Sequence, residues 1–140
     1  MSLAQSRTGP LFTLPVRVYW EDTDAAGIVY YANYLRFLER ARTEWLRAKG
    51  YDQHELAQRH GVVFVVRSIS LEFLRPARID EELGATVTLA AIDAATIEVV
   101  QRIERGGECL LTAEVKLACV KIAAFQPARI PRELRDVIVG

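Results

Sequence analysis

The spacing of apolar positions divides this chain into a helical segment near its start and a long β-rich remainder. Tyr34, Phe37, Leu38, Ala41, Trp45 and Ala48 share one face at about 100° per residue, and Arg36, Glu39, Arg40, Thr43 and Arg47 fall opposite. Asn33 stands before this stripe as an N-cap residue, and Gly50 follows where a helix-ending glycine belongs. Arg47 and Lys49 suit the negative end of the helix dipole. A short second helix is predicted over residues 52–59, closed by His60 and Gly61.

Ahead of the long helix, residues 14–20 (LPVRVYW) read as a strand. Residues 1–13, broken by Gly9 and Pro10, read as a flexible arm, which leaves 14–140 as a single domain. After Gly61 the period becomes two. Val63, Val65, Ile69, Leu71 and Phe73 mark one strand face, with Arg67 as the exception. Ala85, Val87, Leu89 and Ala91 mark a second strand, and Ile97, Val99 and Ile103 a third. Leu111, Ala113, Val115 and Leu117 mark a fourth. The short connections at Asp93-Ala94-Ala95 and Gly106-Gly107 predict hairpins, and therefore an antiparallel sheet. The expected class is α+β, an antiparallel sheet against one long helix, with a final helical turn near residues 130–134.

Composition narrows the function classes. The 140 residues are 51% hydrophobic, enough for a packed core. Eighteen basic residues balance eighteen acidic ones, so no basic excess points to nucleic acid. No apolar run approaches the roughly 18 residues of a membrane span, and no basic flank with an apolar stretch marks a secretory signal, so a cytoplasmic protein without membrane insertion is expected. Cys109 and Cys119, ten positions apart on one strand, would sit about 33 Å apart and cannot pair within the chain.

Candidate chemistry concentrates in residues 21–35 (EDTDAAGIVYYANYL), where three acids fall between a strand and a helix. Glycine-rich phosphate loops, nucleophile elbows and CxxC pairs are missing, and His54 and His60 are wrongly spaced for a metal pair, so no metal and no cofactor is expected. An Asp-Thr-Asp triplet also resembles the phosphotransfer motif of haloacid-dehalogenase-like enzymes. That motif wants Thr or Val at Ala26 and a larger parallel sheet.

The stretch VRVYWEDTDAAGIVYYANYLRFLERARTEWL resembles the hotdog-fold acyl-CoA thioesterases, most closely the YbgC-like branch associated with the Tol–Pal system. The likeness continues through FVVRSISLEFLRPARIDEEL and QRIERGGECLLTAEVKLACV, covering about residues 14–125. It implies a sheet wrapped around the long helix and hydrolysis of an acyl-CoA thioester, with a short, medium or aromatic acyl group. Asp24 matches the family's catalytic acid, acting as nucleophile or general base, and the backbone N–H of Tyr31 its oxyanion donor. Trp20, Gly27, Ile28, Val29 and Tyr30 are implied as substrate contacts. Trp20 and Tyr31 replace a Tyr and a His of the YbgC-like branch, and Tyr30-Tyr31 is similar to the aromatic pair of the 4-hydroxybenzoyl-CoA branch. Arg67, Arg75 and Arg78 are the candidates for the phosphates of coenzyme A. The resemblance further implies a homo-oligomer, a dimer or a dimer of dimers (homotetramer). The competing reading is a non-catalytic hotdog module that binds acyl groups or a cell-envelope partner.

Overall fold

The computed structural model describes residues 11–140, so most of the expected arm lies outside the described residues. Five strands and three helices follow in the order β1 (Phe12–Arg17), α1 (Tyr34–Ala48), α2 (Gln53–His60), β2 (Val62–Phe73), β3 (Glu82–Ile92), β4 (Thr96–Arg105), β5 (Glu108–Lys121) and α3 (Arg132–Val139). The sheet is antiparallel with strand order β1-β3-β4-β5-β2, which makes β1 and β2 its edges.

The hairpins form where the turn chemistry predicts them. Gly106 and Gly107 both take positive φ (55° and 87°), the conformation a two-residue turn between twisted strands demands. Inward positions repeat every second residue: Ala85, Val87, Ile97, Val99, Ile103, Leu111, Ala113, Val115 and Leu117 are all buried. Against them lies α1, with Tyr34, Phe37, Leu38, Ala41, Trp45 and Leu46 buried. Leu46 takes the place expected for Ala48, which is exposed.

Three local expectations change. β1 starts at Phe12, two residues early, where Phe12 and Thr13 pair with Val87 and Thr86. It ends at Arg17, because Trp20–Asp22 curl into a 3₁₀ turn. On β2 the register slips between Val66 and Ser68, so Arg67 is the extra residue of a bulge. The bulge reverses the parity, and the face shared with the inward residues of β5 is Val62 and Phe64 first, then Leu71 and Phe73. Val63 and Val65 therefore point the other way.

The sheet's inner face also carries a polar residue that the pattern concealed. Gln101 is fully buried, and its amide donates to the backbone oxygens of Leu38 (3.1 Å) and Thr86 (3.3 Å). Its oxygen accepts from Arg42 on α1 at 3.0 Å. A buried amide satisfied at both ends ties helix to sheet where an unsatisfied one would destabilise the core.

Candidate active site

The acidic segment forms a closed loop. Asp24 N–H donates to Ile28 O at 2.9 Å, Gly27 N–H donates to Asp24 O at 3.0 Å, and Thr23 bridges Val29. Gly27 sits at φ 78°, a conformation that strains any residue with a Cβ, although open space surrounds it. The Asp24 carboxylate is exposed. Its Oδ1 accepts from Ala26 N–H at 2.8 Å, and its second oxygen has no partner among the described residues.

The loop runs directly into the start of α1. Residues Tyr31–Asn33 form a 3₁₀ turn continuous with the helix. The N–H of Tyr31, first in that turn, meets no backbone acceptor among the described residues. Asn33 departs from the capping role: it is already helical (φ −73°, ψ −21°) and its side chain caps nothing. Its amide donates instead to Asp22 Oδ1 at 2.6 Å.

A second segment closes over the first. Ile28 bridges Arg78, Val29 N–H donates to Ala77 O at 2.8 Å, and the hydroxyl of Tyr34 accepts from Ala77 N–H at 2.9 Å. Burial of the Tyr34 phenol pushes its pKa up, outweighing the Ala77 N–H and the Arg105 charge that act the other way. Between the segments opens a shallow cavity of about 290 Å³, its walls apolar apart from Arg75. Ile28, Val29, Tyr31, Tyr34, Phe73 and Leu74 contribute to those walls. Phe73 meets Tyr34 at 5.8 Å and Tyr31 at 6.5 Å between ring centres.

The expected contacts divide accordingly. Ile28, Val29 and Tyr31 line the cavity, and Gly27 shapes the loop beside it. Tyr30 packs against Tyr31 with ring centres 4.9 Å apart and planes tilted by 50°, outside the lining. A hydrogen bond with Tyr31 and the repulsion between the two phenols hold its pKa above the ordinary tyrosine value. Trp20, 82% exposed on its 3₁₀ turn, does not reach the cavity wall. Arg75 lies on the rim and pairs with Glu108 at 3.0 Å. Glu108 also accepts from Arg105, which holds its carboxyl below the usual range. Burial works to raise the Glu81 carboxyl, but the Arg78 N–H and the Arg105 guanidinium hold it low. Arg67 sits in its bulge six positions from Phe73, about 20 Å along the strand, and does not join the group.

Tyr34, Phe73, Leu74 and Pro76 are lining residues that the sequence placed in the core or left in a loop. One signal was available for two of them. Phe73 and Leu74 are adjacent, so one strand face cannot bury both.

The chain matches the thioesterase-like superfamily over residues 18–138. It is 40% identical over 124 residues to the acyl-CoA thioesterase YbgC of Haemophilus influenzae, covering 89% of this chain and 91% of that protein. It is 28% identical over 126 residues to the 1,4-dihydroxy-2-naphthoyl-CoA hydrolase of Thermosynechococcus vestitus, covering 89% and 86%. The crystal structure of a probable thioesterase from Bartonella henselae superposes with a TM-score of 0.82 at 36% identity, covering 87% of this chain and all of that one.

Proposed function

This chain belongs to the thioesterase-like superfamily, with the hotdog fold, and on that premise we propose that it is an acyl-CoA thioesterase working through Asp24 and the N–H of Tyr31. The observation that supports this most is their closeness in one segment: an exposed carboxylate with one oxygen unpartnered among the described residues, and, at the start of a helix, an N–H that meets no backbone acceptor among them and belongs to a residue lining an apolar cavity.

Each group suits its task. An aspartate is ionised at neutral pH and can attack the thioester carbonyl or take a proton from the attacking water. The carbonyl oxygen becomes an oxyanion, which the partial positive charge and free N–H of a helix start stabilise. The carbon–sulfur bond then breaks, and the departing thiol, with a pKa of about 8.5, needs no strong acid to carry it away. On the general-base route the water's oxygen enters the acid and its proton passes by way of Asp24 to the departing sulfur. On the nucleophile route a water opens the acyl–Asp24 anhydride left behind and restores the carboxylate. Either route yields the free acid and coenzyme A. The apolar walls support a short to medium or aromatic acyl group, and Arg75 at the cavity and the exposed Arg78 three positions on are our candidates for the coenzyme's phosphates.

We place this reaction in the cytoplasm, in agreement with two cysteines that are both unpaired, one buried and one half-buried. No helix of the described residues is long and apolar enough to cross a membrane.

The working form is a homo-oligomer, a dimer or a dimer of dimers. β2 is a twelve-residue edge strand whose outer backbone groups lack a partner strand among the described residues, and Val66, Ile69 and Phe73 are exposed along it, with Leu74 exposed just beyond its end. A panel of acyl-CoA substrates with free thiol followed by a colour reagent tests the function. Release is expected from short, medium or aromatic members. No release from any of them identifies the chain as a binding module.

A further inference from the structure

We propose that Asp22 and Asn33 form a positioning pair that holds Asp24 and the Tyr31 N–H in register with each other; this rests on the catalytic reading above. Among the described residues Asp22 is the one buried carboxylate, 8% exposed, and no Lys or Arg forms an ion pair with it. Burying an acid without a cation is costly, and neutral donors must satisfy it. Two do so: Asn33 Nδ2 donates to Oδ1 at 2.6 Å, and Tyr19 N–H donates to Oδ2 at 2.8 Å.

The backbone of the same residue ties the far end of the loop. Tyr30 N–H donates to Asp22 O at 3.0 Å, and Asp22 N–H donates to Tyr19 O at 3.0 Å. Asp22 thus grips residue 19 before the loop, residue 30 after it and residue 33 on the helix start. Asp24 lies inside this frame and Tyr31 between its last two anchor points. Hydrogen bonds to an ionised acceptor are the short, strong kind, which suits a joint that must hold geometry. A small displacement between attacking group and oxyanion donor costs catalysis more than binding, because both groups act most strongly in the transition state. Asp22 and Asn33 touch no reacting atom in this account. They act through the two residues that do.

The pairing is reciprocal, so it can be exchanged. In Asp22→Asn the new amide must face Asn33 Nδ2 or Tyr19 N–H with a donor, and one contact is lost. In Asn33→Asp two carboxylates face each other. In the double exchange, Asp22→Asn with Asn33→Asp, the amide at 22 accepts from Tyr19 and donates to the acid at 33, restoring both bonds with the charge moved across.

Steady-state kinetics on the full chain, with melting temperatures for every variant, test the pair. Each single variant, and Asn33→Ala, is expected to lower kcat about tenfold or more with KM within about threefold, and the double exchange to recover at least half of the lost kcat on a logarithmic scale. Folded single variants with kcat within twofold of the parent overturn the proposal. So does a double exchange that fails to fold or recovers nothing. Asp24→Asn in the same assay separates the two readings. If it stays fully active the catalytic reading fails, whereas an inactive Asp24→Asn beside a fully active Asn33→Ala removes only the positioning pair.

Discussion

Asp22 and Asp24 are the same residue type two positions apart, and burial gives them opposite surroundings. Asp22 has both oxygens engaged by N–H donors, while the exposed Asp24 has one oxygen without a partner among the described residues. The resemblance marked Asp24, but the Asp22–Asn33 contact spans eleven positions, and no local pattern reveals a pair at that distance. Asn33 also looked like an N-cap, because propensity favours Asn there; it closes the 3₁₀ turn with helical φ and ψ, and its side chain reaches Asp22 instead. At Tyr31 the backbone and the ring make separable claims. Tyr31→Phe is expected to keep activity within about tenfold, no more than about 1.4 kcal/mol in barrier. Tyr31→Pro removes the N–H at a first-turn position, and Tyr30 before it (φ −61°, ψ 130°) already has the extended conformation that proline requires of its predecessor. Its kcat should fall about a hundredfold or more with the melting temperature largely kept. A Tyr31→Phe as impaired as Tyr31→Pro would assign the chemistry to the phenol.

At the scale of elements, the helix and the three strands joined by hairpins follow their apolar spacing, because burial on one face rewards a strict period. β2 does not, since its bulge at Arg67 changes parity midway. Reading it as one uninterrupted strand puts Val63 and Val65 on the wrong face and leaves Arg67 as an apolar-face anomaly. A bulge is set by pairing with β5, which the strand's own residues do not encode. The order β1-β3-β4-β5-β2 likewise places β2 beyond β5 at an edge, although it follows the helices in the chain. That edge carries the expectation of self-association. Light scattering at micromolar concentration should give at least twice 15.8 kDa. Ile69→Lys, a charge set among the exposed apolar residues of β2, should shift the mass toward the monomer. A fully active parent monomer would contradict the oligomer.

The whole molecule brings together what no single element holds. The acidic loop precedes α1, the 75–78 segment follows β2, and the sheet's topology folds them onto each other through Ile28–Arg78, Val29–Ala77 and Tyr34–Ala77 contacts. The loop and its acid were legible in the sequence. The cavity was not, because Phe73 read as a core residue and is instead half-exposed at the end of the edge strand, against the buried Tyr34. The central claim is that this assembled loop carries the reaction on Asp24. Asp24→Asn keeps the side chain's size and can keep its oxygen's bond to Ala26 N–H, so folding and oligomeric mass should match the parent. Its kcat on the best acyl-CoA of the panel is expected to fall at least about a hundredfold, the lower range for losing an acid–base group. A folded Asp24→Asn with kcat within tenfold of the parent would contradict the account.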